Sequence, residues 1–168
     1  GEKGYMKRLL MLGAVVALFM TVAVVSASAA PPGKTFDRQP TPEAVTYEHI
    51  DALNNCDVGR LMAQYPESIY IILPGGVTVE GREAVLELFE GFCLPFPDGL
   101  AGLQFTEVEH WKVHKTINMQ WVATADFLCE PYYGADAYET WAGLMAAQVT
   151  TFDGAELVTV DAEGNCPG

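Results

Sequence analysis

The chain has 168 residues, of which 9 are Lys or Arg and 22 are Asp or Glu, giving a formal net charge of -13. Such an acidic chain repels the phosphates of nucleic acids and anionic membrane surfaces, so neither is expected as a partner. Hydrophobic residues make up 50% and charged residues 18%, which provides enough apolar material for one core and argues against disorder. The length fits a single domain.

The N-terminal segment predicts an export signal. Lys7 and Arg8 precede an almost uninterrupted apolar run over residues 9–25, and small residues at 27–29 provide a cleavage site. We therefore predict a signal peptide over residues 1–29 and a secreted or periplasmic mature protein. Residues 1–5, which precede Met6, are given no function. The alternative is an uncleaved anchor, because the run is close to the lower length limit of a membrane-spanning helix.

The mature chain predicts helices first and strands later. Residues 30–40 are rich in Pro, Gly and polar residues, so we expect a flexible leader before a domain at 41–168. Thr41 followed by Pro42 predicts the start of a first helix. A second helix, a hairpin around Pro74 and a third helix after Gly81 follow. Strands are then predicted at 103–114, 119–129, 137–151 and 156–160. This order predicts an α+β domain with helices on one side of a curved sheet.

Four cysteines lie in the mature part, and an even number in an oxidising compartment predicts two disulfides with three possible connectivities. Buried free thiols are the alternative. We favour Cys93 with Cys129, because the third helix and the second long strand are both predicted to end near Leu103; Cys56 then pairs with Cys166. No close cysteine pair is present to begin a zinc site, so no metal is predicted. No glycine fingerprint or Walker lysine points to a cofactor.

A group of residues in the N-terminal half resembles the nuclear transport factor 2-like superfamily, which includes ketosteroid isomerases and SnoaL-like polyketide cyclases. The residues that carry the resemblance are Asp57-Val58, Leu61, Tyr65, Pro74, Gly76, Gly81-Arg82, Ala84-Val85 and Phe89. The resemblance covers about residues 41–161. It implies three N-terminal helices packed on a strongly curved, mostly antiparallel sheet, which together form a cone around an apolar pocket. It also implies a homodimer formed through the sheet.

The ketosteroid isomerase pattern is incomplete in this sequence. By that resemblance, the position of the carboxylate base is occupied by Leu73, which cannot accept a proton. The tyrosine of the oxyanion hole aligns with His49, and the protonated carboxylic acid aligns with Gln148. Both replacements can still donate a hydrogen bond, so a polar patch remains in the pocket without the base.

His49 is the first candidate for catalysis, because it interrupts the apolar stripe of the first helix. Burial would lower the pKa of its imidazole and leave a neutral ring that can donate and accept a proton. The alternative is a core histidine bonded to a backbone carbonyl. Asp126 is the third candidate beside His49 and Gln148. It is expected on the polar face of its strand and would become a general base only if a bulge reversed the strand's phase.

One face of the second long strand is apolar and interrupted by small residues, which either leave room for a ligand or pack closely against the helices. The residues predicted to contact a ligand are Leu53, Leu73, Phe89, Trp121, Ala123, Ala125 and Phe127. His110 and His114 lie too far apart along one strand to bind a single ion and are expected at the surface.

Three functions are consistent with these observations. The first, which the missing base favours, is an exported domain that binds a small apolar or amphipathic molecule in the pocket. The second is an isomerase, dehydratase or cyclase in which His49 acts as acid and base, aided by Gln148 or Asp126. The third is a dimerisation or interaction module without a small ligand. Fold alone does not decide between them.

Overall fold

A computed structural model describes residues 35–167 of the chain. Three α-helices pack on a six-stranded sheet whose strands run in the spatial order β2-β1-β6-β5-β4-β3. All neighbouring strands are antiparallel except β1 and β6, which are parallel. The elements are α1 (Pro42–Asn54), α2 (Val58–Ala63), β1 (Tyr70–Leu73), β2 (Val77–Glu80), α3 (Arg82–Phe92), β3 (Gln104–Val113), β4 (Thr116–Thr124), β5 (Tyr132–Trp141) and β6 (Leu144–Thr150). The predicted α+β class with a mostly antiparallel sheet is therefore confirmed.

The first helix begins where the sequence predicts it. The Thr41 side chain accepts a hydrogen bond from the backbone N–H of Ala44 at 3.1 Å, and Pro42 occupies the first turn, where its missing N–H leaves no bond unmade. Val45, His49 and Leu53 face the core from this helix. The helix therefore carries a polar ring into the apolar interior.

The C-terminal half contains one hairpin more than the sequence predicts. The single strand expected over residues 137–151 is two strands, β5 and β6, joined at Ala142 and Gly143. Both turn residues have positive φ, 50° and 78°, as a tight two-residue hairpin requires. Ala142 is not a typical residue for such a turn, so the sequence does not predict it. The loop expected over residues 130–136 is also shorter, because β5 begins at Tyr132.

The last predicted strand, residues 156–160, is absent. Residues Gly154–Glu156 form a 3-10 turn, and only Thr159 makes an isolated bridge, to Leu128. The segment therefore lies beside the end of the sheet without extending it.

Gly134 on β5 allows β4 and β5 to pack their side chains closely. A Cβ at this position would lie 2.3 Å from Cη2 of Trp121, so only glycine leaves room for the indole ring. Trp121 is 1% exposed and contacts Phe105 edge to face, with ring centroids 5.0 Å apart. Aromatic side chains thus fill the core next to the inner face of β4.

Both disulfides are present, and the predicted pairing is wrong. Cys56 pairs with Cys93, and Cys129 pairs with Cys166. The first bond joins the end of α1 to the end of α3. The second joins Cys129, in the segment between β4 and β5, to the C-terminal segment that runs alongside it. The backbone N–H of Cys129 donates to the carbonyl of Val158 at 2.8 Å. Two bonded cysteine pairs are compatible with an extracellular location.

The chain is hydrogen-bonded to the domain before Thr41. The backbone N–H of Asp37 donates to the carbonyl of Ala63 at 2.9 Å, and that of Gln39 donates to the carbonyl of Gly143 at 2.9 Å. The last residues of the predicted leader are therefore held against α2 and the β5–β6 turn. The predicted signal peptide lies outside the described residues. Within residues 35–167, no helix has the length and apolar character needed to cross a membrane.

Candidate functional site

A cavity of about 310 Å³ lies between the helices and the concave face of the sheet. Its walls are mostly apolar, and its volume is at the small end of the range for ligand sites. The lining residues are Ile50, Leu53, Ile71, Leu73, Pro74, Val77, Leu88, Phe89, Phe92, Phe105, Asp136, Tyr138, Gln148, Thr150, Phe152, Asp153 and Gly154.

The pairing of β5 with β6 places four polar side chains together on the cavity wall. Asp136 lies opposite Thr150, and Tyr138 lies opposite Gln148. Alternate residues of a strand share a face, so all four side chains lie on the concave side. The Tyr138 hydroxyl donates to Asp136 Oδ2 at 2.8 Å, and Gln148 Nε2 donates to the same oxygen at 2.9 Å. The strand register thus builds a polar cluster around one carboxyl group, which we call the Asp136 cluster.

The Asp136 carboxyl is only 8% exposed, and burial raises its pKa because the ionised form loses its hydration. The nearby polar side chains of Thr150, Tyr138, Trp121 and Gln148 partly oppose this rise by stabilising the carboxylate, and of these Tyr138 and Gln148 are the two that hydrogen-bond to it. Asp136 Oδ1 and Gln148 Oε1 are buried, and neither has a hydrogen-bond partner among the described residues. The cavity therefore has one polar end with unused hydrogen-bonding capacity.

His49 is fully buried, as predicted, and burial lowers the pKa of its imidazole to about 3. Its Nδ1 lies 3.0 Å from the Tyr65 hydroxyl, while Nε2 has no partner among residues 35–167. The ring centroid lies 5.5 Å from that of Tyr138 and 6.0 Å from that of Phe89, both of which line the cavity. His49 itself is not a lining residue. The imidazole is thus a neutral group behind the cavity wall.

The structure divides the other predicted site residues into two groups. Leu53, Leu73, Phe89 and Gln148 line the cavity. Trp121, Ala123, Ala125, Phe127 and Asp126 do not.

Two features of the fold explain why the other five predicted residues do not line the cavity. Trp121 and Ala123 are buried in the core, where the Trp121 ring packs against Phe105, Tyr132 and Phe152 with ring centroids 5.0, 5.9 and 6.1 Å away. The strand β4 ends at Thr124, so its alternation does not extend to Ala125, Asp126 or Phe127. These three residues border a separate surface depression, and Asp126 is exposed. Asp126 is therefore not part of the cavity.

The sequence did not reveal Asp136 and Thr150 as site residues, whereas Tyr138 belongs to a group of aromatic residues that the sequence already places as a candidate rim of an apolar cavity. Asp136 follows Gly134 closely, and the sequence predicts a loop over residues 130–136. The sequence does contain a detectable pattern, because residues 132, 134, 136, 138 and 140 share the inner face of β5. That alternation becomes visible only if the β5–β6 turn is placed at Ala142 and Gly143.

No family model matches the sequence, and no curated protein matches it. Solved structures do match. An NTF2-like protein of unknown function from Burkholderia pseudomallei has a TM-score of 0.59 at 16% identity, over 70% of this chain and 95% of its own. A Shewanella putrefaciens protein described as a SnoaL-like polyketide cyclase has a TM-score of 0.58 at 11% identity, over 68% of this chain and 81% of its own. A Kribbella flavida protein described as a ketosteroid isomerase has a TM-score of 0.55 at 18% identity, over 76% of this chain and 95% of its own.

The chain has the NTF2-like fold. The sequence resemblance and the structural matches agree on this point. Within this NTF2-like chain, Leu73 lines the cavity and carries no carboxylate. The buried carboxylic acid is Asp136, one strand away from the Gln148 position that the resemblance suggested, and the two side chains are hydrogen-bonded to each other. The cavity therefore contains a buried acidic residue, supplied by β5.

Proposed function

We propose that the cavity binds a small apolar or amphipathic molecule, with its apolar part among the aliphatic and aromatic side chains and its polar part against the Asp136 cluster. The observation that carries this proposal is an apolar cavity with one polar end whose oxygens lack partners. Buried polar atoms are normally hydrogen-bonded, so two unpartnered oxygens on one cavity wall indicate a place for a ligand's polar group.

The volume limits the size of the enclosed ligand. A cavity of about 310 Å³ is at the lower end of the range of roughly 300–1,000 Å³ for small-molecule sites, so it favours a ligand at the small end of that class. A molecule with one ring, or with two fused rings, fits within this limit. A four-ring steroid would extend through the opening.

The test is to fill the cavity and measure binding of a small probe. Leu88 lines the cavity from α3, whereas Leu86 on the same helix borders a different surface groove. We expect 2-phenylethanol to bind wild type and Leu86→Trp in isothermal titration calorimetry, and to bind Leu88→Trp at least about tenfold more weakly. Equal affinity for wild type and Leu88→Trp would contradict the proposal.

A second candidate function is catalysis of a proton transfer by Asp136. The observation in its favour is a buried carboxyl group on the cavity wall whose pKa is raised toward the range in which a carboxylate works as a base. This would place the protein among cofactor-independent isomerases, dehydratases or cyclases. We expect wild type, but not Asp136→Asn, to accelerate exchange of the α-hydrogens of cyclohexanone in deuterated buffer, followed by NMR. Equal exchange rates for the two proteins would reject it.

We further propose that the protein is exported and forms a homodimer through the outer face of the sheet. Four large apolar side chains on that face are more than 40% exposed, which is typical of an interaction surface: Tyr70 (43%), Trp111 (47%), Tyr133 (69%) and Val149 (44%). We expect wild type to sediment as a dimer at micromolar concentration and Tyr133→Glu to sediment as a monomer. A monomeric wild type would rule out the dimer and the interaction-module alternative.

A further inference from the structure

We propose that the polar group of the bound molecule is a protonated amine, held between Asp136 and Gln148, so that the ligand is a small aryl or cycloalkyl amine. This inference rests on the proposed function, in which the cavity binds a small amphipathic molecule. It adds the charge and the hydrogen-bonding character of the ligand.

The first argument is the kind of hydrogen-bonding capacity left unused. The Tyr138 hydroxyl and Gln148 Nε2 both donate to Asp136 Oδ2, so neither donor is free for a ligand in this arrangement. The oxygens without partners are Asp136 Oδ1 and Gln148 Oε1, on side chains that are 8% and 6% exposed. An ammonium group has three N–H donors and no acceptor, so it can satisfy both oxygens. A ketone has no N–H or O–H group, so it cannot donate a hydrogen bond to either of these two oxygens.

The second argument is charge. Asp136 and Asp153 line the cavity, and the described lining residues include no Lys, Arg or His. A ligand carboxylate would find no opposite charge there. An ammonium beside Asp136 forms a buried ion pair, which is favourable only when further hydrogen bonds support the charges. Tyr138 and Gln148 supply that support at the second carboxylate oxygen.

The third argument is the aromatic character of the wall. Five of the lining residues are aromatic: Phe89, Phe92, Phe105, Tyr138 and Phe152. The faces of such rings attract organic cations, and their edges and faces pack against a ligand's apolar ring. The aromatic wall of the cavity therefore suits both the ammonium group and the apolar ring of an aryl or cycloalkyl amine.

The experiment compares three probes of similar shape: 2-phenylethylamine, 2-phenylethanol and ethylbenzene. Affinities are measured by calorimetry at neutral pH with the chain lacking the predicted signal peptide. Because the amine offers a positive charge and a further donor for Gln148 Oε1, whereas the alcohol offers one neutral donor, we expect the amine to bind at least about tenfold more tightly than the alcohol. The ratio of amine affinity to ethylbenzene affinity should fall at least about tenfold in Asp136→Asn.

Asp126→Asn is the matched control, since it removes the same charge from an exposed position outside the cavity and should leave the ratio unchanged. If Asp136→Asn fails to fold, Gln148→Met decides, because it removes the second acceptor and one of the two donors that support the Asp136 carboxylate, and should also lower the ratio. An alcohol or ethylbenzene that binds as tightly as the amine would overturn the inference while leaving the proposed function intact. Failure of all three probes would reject both.

Discussion

Replacing His49 with a residue that does not titrate should remove much of the acid sensitivity of the fold. Burial lowers the pKa of His49 from 6.5 to about 3, so the folded protein keeps a neutral imidazole down to acidic pH. The unfolded chain takes up a proton near pH 6.5. The stability contributed by the neutral ring is therefore complete above pH 6.5 and is lost as the pH falls toward 3, because only the unfolded state gains a proton in that window.

The size of the effect follows from the two pKa values. Each pH unit within the window changes the free energy of unfolding by about 1.36 kcal/mol. When the pH falls from about 7.5 to about 4.5, two pH units of this change lie below the unfolded-state pKa of 6.5. His49 therefore lowers the free energy of unfolding of the wild type by about 2.7 kcal/mol over this range. The pKa of Asp136 is shifted in the opposite direction, but Asp136 is present in both proteins and its contribution cancels in the comparison.

The assay is urea unfolding of wild type and His49→Gln at several pH values, followed by tryptophan fluorescence. We expect the wild type to lose about 2.7 kcal/mol more than the variant between the two extremes of pH. His114→Gln is the control, since it removes an exposed imidazole at the β3–β4 turn, and its pH dependence should follow the wild type. Parallel pH profiles for wild type and His49→Gln would show that the imidazole is hydrated or charged in the folded state, and would refute the reasoning.

Three further changes test other parts of the structure. Replacing both Cys56 and Cys93 with Ser should lower the free energy of unfolding by about 4 kcal/mol, because their disulfide closes a loop with a sequence separation of 37 residues. Peptide mapping of the wild type without reductant checks the pairing. A peptide that links Cys93 to Cys129 would contradict it. Gly134→Ala should destabilise the fold by about 1–3 kcal/mol in urea, because its Cβ would overlap the Trp121 ring, and an unchanged midpoint would contradict the close approach. Asp136→Asn should be more stable than wild type at about pH 8 and equally stable at about pH 3, because the buried carboxyl of the wild type is unfavourable only when it is ionised. If the variant is less stable than wild type at about pH 8, the pKa of Asp136 is not raised.

The sequence predicts the helical half of the fold well because its signals are local. The Thr41 cap, the Pro42 position and the apolar stripe with His49 each depend on residues within a few positions of one another. The burial of His49 and its lowered pKa follow from that stripe alone. The resemblance adds the NTF2-like arrangement around a pocket, which no local signal contains.

The polar end of the cavity was not predictable in the same way, because it depends on strand register. Asp136 meets Gln148 only when the chain turns at Ala142 and Gly143, and no Asn-Gly or Asp-Gly pair marks that turn. The disulfides depend similarly on which segments lie side by side. Cys129 meets Cys166 because the C-terminal segment returns along residues 127–129 by backbone hydrogen bonds, which the pattern of side chains does not indicate.

The protonation states of the buried groups limit the chemistry that the cavity could perform. Burial raises the pKa of the Tyr138 hydroxyl well above 10, and His49 is neutral and lies behind the wall. The Asp153 carboxylate accepts a hydrogen bond from the backbone N–H of Ala155 at 2.9 Å, at the turn after β6. Asp136 is therefore the buried carboxyl group of the polar end, with a pKa that burial raises, and it is the group there best placed to transfer a proton. A dehydration needs a base and a separate acid, whereas an isomerisation can return one proton through a single carboxyl. If the protein is an enzyme, the Asp136 cluster supports isomerisation over dehydration, and a single ionisation should govern its pH–rate profile.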